Sequence, residues 1–397
     1  MLNTDSYHTP QMKVDKLEVC PTLQQMKTKA GAAFQTRGLP VFGSEDYQRT
    51  DLTHFFDTVK ECQDSPYDDI IKRIDLPQGA YLGRLSRLEQ LDQDLAKRFA
   101  NLLEDPIEDA YALLNKLHTA DTLCIFLPKK CVLETPIELT IEDDKEGRLF
   151  IRHIGIIADP FSEATIIIND ASSDAKALHH VEIRAEDSSK IKVYDNLIAT
   201  EKYERIATYQ AELYDHSSVS LCQHAFSAKL CRNNFNVKLL RPDAEIVLRG
   251  LGMACKERMI DNYTRVEHKT TNCHTDELFK YIVDESGYGV FAGRILVEEG
   301  AQKTAAYQTN KNLLLSKNAR MHAKPQLEIY ADDVKCSHGM TTGQLDETAI
   351  FYMQQRGISY EEAKSMLTIA FAKEVLDFID SEEIRDQLMN HLENEMK

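Results

Sequence analysis

The spacing of apolar positions changes twice along the chain. Up to about residue 120 it is helical. Met26, Ala30, Ala33 and Phe34 lie on one face of a predicted helix over 26–37, which Gly38 and Pro40 should stop. Residues 85–103 repeat apolar positions at three and four, and 105–117 do so again. Residues 62–83, with Pro66, Pro77 and Gly79, read as a loop-rich connection.

From 121 to 340 short β-branched runs replace the helical pattern. They fall at 123–127, 137–141, 149–157, 164–168, 181–184, 191–194, 219–222 and 246–248. Ala164, Ile191, Val219 and Ile246 each follow a turn-prone residue, at steps of about 25 to 28 residues. Such steps are expected of stacked repeats. The segments at 300–304 and 318–321 look like later copies. A mainly β chain of this kind, low in Gly and without Asn-Gly hairpins, suits a β-solenoid whose coils stack around an apolar interior. A β-sandwich or jelly roll is the competing arrangement.

From 341 to 397 the helical period returns. A helix over 346–356 should end at Gly357. Ser359 and Glu362 form a capping-box pattern ahead of a helix carrying Ala363, Met366, Leu367, Ala370, Phe371, Val375 and Phe378 on one broad face. Ser381 can cap a last helix with a thin stripe of Ile384, Leu388 and Leu392. These helices either fold back on the solenoid or dock another protein. The predicted division is therefore 1–120 helical, 121–340 solenoid and 341–397 helical.

Charge narrows the partners. With 64 acidic against 47 basic residues the net charge is −17, which disfavours nucleic acid or anionic lipid. No apolar run is long enough to span a bilayer, and residues 1–16 lack the apolar stretch of a signal peptide. Nine scattered cysteines without a C-x-x-C pair indicate reduced thiols in a cytoplasm-like compartment.

The candidate chemistry lies at Cys336 and His338. Two residues apart on a strand, they present sulfur and nitrogen to one face and to one metal or cluster. Two donors do not complete a tetrahedral site, so the others must come from elsewhere. The plainer alternative makes Cys336 a small buried hydrophobe and His338 a cap on a turn at Gly339. Cys222 and His224 have the same spacing and read as inward-facing core. Cys273 and His274 are adjacent and should face opposite ways. Gly250-Leu251-Gly252 lacks the third glycine of a dinucleotide fingerprint, and Gly339 to Gln344 has no Lys for a phosphate loop. Gly287, Gly289 and Gly293 read as a bulge or tight corner.

The run Lys324-Pro325-Gln326-Leu327-Glu328-Ile329-Tyr330-Ala331-Asp332-Asp333-Val334-Lys335-Cys336-Ser337-His338-Gly339, followed by Thr341, Gly343-Gln344 and Asp346-Glu347, resembles the signature of the SufB/SufD family of iron–sulfur cluster assembly proteins, in its SufD form. Glu277-Leu278-Phe279-Lys280, Gly289-Val290-Phe291, Gly293-Arg294-Ile295, Gln308-Thr309-Asn310 and Arg356-Gly357-Ile358 resemble the family's central and C-terminal blocks. Gly38-Leu39-Pro40 and Glu45-Asp46-Tyr47 resemble its N-terminal region more weakly. Tyr281 stands where the family pattern has Gly, which suggests a crowded turn, and Met340 where it has Ala.

The resemblance implies a right-handed parallel β-helix between helical domains, and a non-catalytic scaffold. It implies a complex with SufB and the ATPase SufC. The transient cluster would form at the SufB interface near Cys336 and His338. SufC would bind the C-terminal helices around Met366, Ala370 and Phe371. A reduced flavin is also associated with the complex. A SufB-like homodimer holding a cluster itself is the first alternative. A solenoid carbohydrate-active enzyme is the second, although Asp332 and Asp333 are the only paired acids near the site.

Overall fold

A computed structural model describes residues 20–64, 67–72, 74–102 and 109–396. The expectation for residues 1–16, and the start of the helix expected over 105–117, lie outside them. The N-terminal part contains α1 (Pro21–Arg37), β1 (Glu61–Asp64), α2 (Tyr67–Ile70), β2 (Tyr81–Arg84), α3 (Leu85–Leu91), α4 (Gln93–Ala100) and α5 (Ala110–His118). The helix expected over 85–103 is broken at Asp92, whose extended backbone ends α3 while its carboxylate accepts the Leu95 N–H and starts α4.

A parallel β-solenoid of about 8 turns follows. Each coil supplies two strands: β3 (Leu123–Leu127) and β4 (Ile137–Ile141); β5 (Arg148–Ala158) and β6 (Glu163–Asp170); β7 (Lys176–Ala185) and β8 (Lys190–Leu197); β9 (Glu204–Leu213) and β10 (Ser218–Ala225). The later coils are β11 (Leu230–Leu239) and β12 (Glu245–Ala254); β13 (Met259–His268) and β14 (His274–Val283); β15 (Tyr288–Val297) and β16 (Ala305–Leu314); β17 (Arg320–Ile329) and β18 (Lys335–Gly343). From β3 onwards, odd-numbered strands build one sheet and even-numbered strands the other, each coil pairing in parallel with the next. The repeat positions read from the sequence are register partners: Ala164 pairs with Ile191, Ile191 with Val219 and Val219 with Ile246. All are buried inside the stack, so the repeat is one inward-facing column.

A second column runs along one corner. Lys130, Phe161, Ser188, His216, Asp243, Asn272 and Lys303 all have φ between 54° and 64°. This left-handed conformation is unfavourable for residues with a Cβ. At this corner each residue gains a hydrogen bond to the following coil: the N–H of Ser188 reaches the Asp215 carbonyl at 2.7 Å, that of His216 reaches Pro242 at 3.1 Å, and that of Asn272 reaches Gln302 at 2.9 Å.

Parity along the strands corrects several expectations. Cys222 lies three positions after the inward Val219, so Cys222 and His224 face outwards, buried beneath the C-terminal helices and not inside the solenoid. Gly287 lies at the corner between β14 and β15, as expected, whereas the glycines within strands mark no bulge. A Cβ on Gly250 would stand 2.2 Å from the Phe279 ring of the next coil, and one on Gly293 would stand 2.3 Å from Gln308 Nε2 of its own coil, so these positions make room for inward side chains. Tyr281 crowds no turn: it lies inside, donating its hydroxyl to the Val290 carbonyl and accepting from Asn262.

Helices α6 (Glu347–Gln354), α7 (Tyr360–Leu376) and α8 (Glu382–Glu395) follow, α7 with its capping box and α8 with its buried Ile384, Leu388 and Leu392 stripe as the sequence predicts. Helices α7 and α8 cover the outer face of the even-numbered sheet. Ala372, Val375, Leu376 and Ile379 pack there with Phe226, Leu251 and Ile282. Lys280 Nζ donates to the Phe371 carbonyl at 2.7 Å, Lys364 pairs with Asp284 at 3.0 Å, and Arg249 lies 4.9 Å over Phe378. None of the described helices is long and apolar enough to cross a membrane.

Candidate site at the open end of the solenoid

The first coil has both strand edges covered. β2 pairs antiparallel with β3, and Ile71 bridges Leu139 of β4. Among the described residues the last coil has neither: β17 pairs only with β15 and β18 only with β16. Two parallel edge strands with free backbone groups therefore lie side by side at this end, an arrangement that invites pairing with another chain. Ile329, Tyr330 and Met340 are exposed there, while Met321, Ala323, Leu327 and Cys336 are partly buried against the main core.

Cys336 and His338 both lie on β18. Gly339 is in mid-strand, so the expected turn at that residue does not exist and His338 caps nothing there. Cys336 pairs with Ala306, which continues the inward column Ile246, Thr275, Ala306. His338 continues the neighbouring inward column, two positions along. Thiol and imidazole therefore share one rung at the uncovered mouth of the interior. Partial burial pushes the Cys336 thiol up from its usual value, opposed by the Ala306 backbone N–H. The isolated chain thus holds the thiol protonated, and a metal ion must displace that proton to form a bond.

The column under His338 changes character along the stack. Ile137, Ile166, Val193, Leu221 and Leu248 occupy it in successive coils, then Glu277, Gln308 and His338. Glu277 is fully buried, accepts from Thr264 Oγ1 at 2.9 Å and from Gln308 Nε2 at 3.0 Å, and is pushed up to about 7 by burial. The sequence reading used Glu277 only as part of a family block. Its inward position follows from the same column count that places Leu248.

Of the residues expected to meet a partner, Met366 and Ala370 lie on the free surface of α7, with Phe351, Tyr352 and Tyr360 also exposed nearby. Phe371 is half-buried: it rests against the core beneath these helices, its ring 4.5 Å from Lys280 Nζ. The broad apolar face of α7 is split. Ala363, Thr368, Ala372, Val375 and Leu376 pack inward, and Met366 is left outside.

A second convergence of ligand-type atoms lies elsewhere, where His153, His180 and Glu182 come within 4.8 Å of one another beneath α5. Most of its polar groups are met by protein: His180 Nε2 contacts Gln210 Oε1 at 2.7 Å, and only His180 Nδ1 is left without a hydrogen-bond partner among the described residues. His153 contacts Thr122 Oγ1 at 2.8 Å and Glu182 Oε2 at 2.7 Å, and Lys116 of α5 ion-pairs with Glu182. A fixed cation in the cluster makes it a lock between helix and solenoid. Cys273 is buried and His274 faces outwards, as adjacency predicts.

Comparison with known proteins adds the following. The description "SUF system FeS cluster assembly, SufBD core domain" matches residues 140–371, and "SufBD protein N-terminal region" matches 57–139. The chain is 43% identical over 142 residues to "Iron-sulfur cluster assembly protein SufD" of Escherichia coli, covering 36% of this chain and 34% of that protein. It is 29% identical over 335 residues to "Protein ABCI7, chloroplastic" of Arabidopsis thaliana, covering 80% of this chain and 69% of that protein. With the Bacillus subtilis protein named SufD it is 24% identical over 317 residues, 77% of this chain and 71% of that one.

Proposed function

The chain belongs to the SufBD family of iron–sulfur cluster assembly proteins, and from that premise we propose that it is a non-catalytic scaffold subunit of the SufD type, whose open end receives SufB. One observation carries this reading: the coil that leaves its two edge strands free also presents Cys336 and His338 on its inward rung. A partner strand laid on β17 or β18 covers Met321, Leu327 and Met340 and brings its own donors to a rung that has two. The iron–sulfur cluster is cargo here, held between chains and passed on. A thiolate and an imidazole suit it chemically. The surface of Met366 and Ala370, with its exposed aromatic neighbours, is the docking face for the ATPase SufC. The nine cysteines are scattered and form no C-x-x-C pair, which supports a reducing compartment such as the cytoplasm.

Anaerobic affinity capture of the full chain from its own cell extract tests both faces. The expected result is recovery of a SufB-type paralogue and an ABC-type ATPase. Met340→Asp should release the paralogue and Met366→Asp the ATPase, each leaving the other bound. His338→Ala should leave the complex assembled and lower its cluster yield. Unchanged yield would remove His338 from the site. A wild-type chain recovered only as a dimer, with a reconstitutable cluster, would place a second copy at the open end.

A further inference from the structure

We propose that Glu277 is the proton-exchanging group of the open end: it is a neutral acid paired with Gln308 while the rung of Cys336 and His338 is empty, and it ionises, releasing its proton to solvent, when a ferrous ion occupies that rung. This rests on the ligand reading of Cys336 and His338 given above.

Three observations lead to it. First, the column is apolar through five coils and turns polar only in the last three. An interior that needed only packing would have continued with Leu or Val. Second, the pair is one donor short. Thr264 and Gln308 both donate to Glu277 Oε2, while Glu277 Oε1 and Gln308 Oε1 have no partner among the described residues. Both orphaned atoms are acceptors as long as the acid is ionised. A proton on Oε1 supplies the missing donor. Buried polar atoms are normally satisfied, so the neutral acid is the form this site is built for when the rung is empty. Third, the backbone makes room for the pair. Gly293 lies against the Gln308 amide, where any Cβ would come within 2.3 Å of Nε2.

The surroundings supply little to hold a negative charge. Asp276 on the same strand opposes ionisation, and Arg249 of β12 favours it but is itself paired with Asp276. Thr264 of β13 and Gln308 of β16 are neutral, and β15 contributes Gly293. His268, farther along the same interior, is held neutral by burial, with its value pushed down to about 3. Burial therefore leaves Glu277 at about 7, where a modest field tips it. Parallel rungs are about 4.8 Å apart, so an ion on the His338 rung sits roughly 10 Å from Glu277. Binding of Fe²⁺ with loss of the thiol proton leaves one net positive charge there. At that distance and an effective dielectric near 20, one such charge lowers a carboxyl by about one pKa unit. The balance is simple: Glu277–COOH gives Glu277–COO⁻ and one proton to solvent, with no oxidant or reductant.

Infrared difference spectroscopy of the full anaerobic chain tests this, with iron binding measured separately by equilibrium dialysis. A protonated-carboxyl band that disappears in Glu277→Gln should titrate near neutrality. Ferrous iron should lower its midpoint by about one unit in the wild type and leave it in place in His338→Ala. If Glu277→Gln does not accumulate, Thr264→Val gives the assignment, because removing that donor moves the midpoint up. A band that ignores iron which dialysis shows to be held through His338 overturns the inference and leaves the ligand reading intact. Iron that does not bind, or that binds equally to His338→Ala, overturns the ligand reading and the inference with it.

Discussion

The two ends of the solenoid are built on the same coil and finished differently. At the first coil, β2 pairs with β3 and an isolated bridge from Ile71 meets β4, and Leu123, Ile125, Leu139 and Ile141 are sealed. At the last coil the inward side chains reach solvent and both edges are free of strand partners among the described residues. The interiors differ as well. In the closed half, buried acids meet arginines: Arg152 pairs with Asp143, and Arg205 with Asp195 at 2.7 Å and Asp170 at 3.2 Å. In the open half, Glu277 meets only a hydroxyl and an amide. Covering an edge and neutralising a charge both contribute stability, so a chain that omits them at one end has kept that end for something other than its own stability.

The largest test of this contrast is truncation. Leu139→Ala, inside the sealed end, should destabilise by about 3 kcal/mol, because a fully buried methyl-rich side chain leaves a cavity. Met340→Ala, at the open mouth, should stay within about 0.5 kcal/mol in the isolated chain. Urea unfolding of both variants measures it. Equal losses would mean that the open end is packed as tightly as the closed one.

Acid dependence is the next test. A carboxyl raised in the folded state from 4.5 to about 7 binds its proton more tightly there than when unfolded. The stability it contributes is therefore present at low pH and is lost as pH rises through that window, by at most roughly 3.5 kcal/mol. Buried neutral histidines such as His180 and His224, both pushed down to about 3, act in the opposite sense and lose stability as pH falls below their ordinary value. They are common to both proteins, so the wild type minus Glu277→Gln isolates the carboxyl. That difference should decline from pH 5 to pH 7.5. A flat difference would mean that Glu277 is ionised throughout.

Two glycines make the smallest comparison. Gly250→Ala drives a methyl into Phe279 and should cost about 2 kcal/mol. Gly339→Ala, on the edge strand, meets nothing within 4 Å and should be neutral for thermal stability. A large loss at Gly339 would show that the edge is already covered in the isolated chain.

The repeat was legible because Ala164, Ile191, Val219 and Ile246 are small or β-branched residues in a column that stays apolar until Thr275. Half the strands were not. β9 and β11 are buried almost throughout, one face in the solenoid and the other against the N-terminal part, so they show no alternation. β11 also reads as polar, with Asn233, Asn234 and Asn236 among four consecutive positions. The position of Cys336 and His338 at the end of the strand pattern was legible. Their setting was not, because no local signal says that the stack stops without a lid. The packing of Phe371 against the sheet was not legible for a related reason: helical period identifies an apolar face, but not which part of a wide face a sheet will cover.

The corner column of left-handed residues has a consequence for scale. Each corner is tied to the next by the same hydrogen bond, so the coils advance by a fixed increment of about 4.8 Å. The stack then works as a gauge. The number of coils sets how far the N-terminal helices stand from the open mouth, and duplicating or deleting one whole coil would change that span by one increment while leaving both ends as they are.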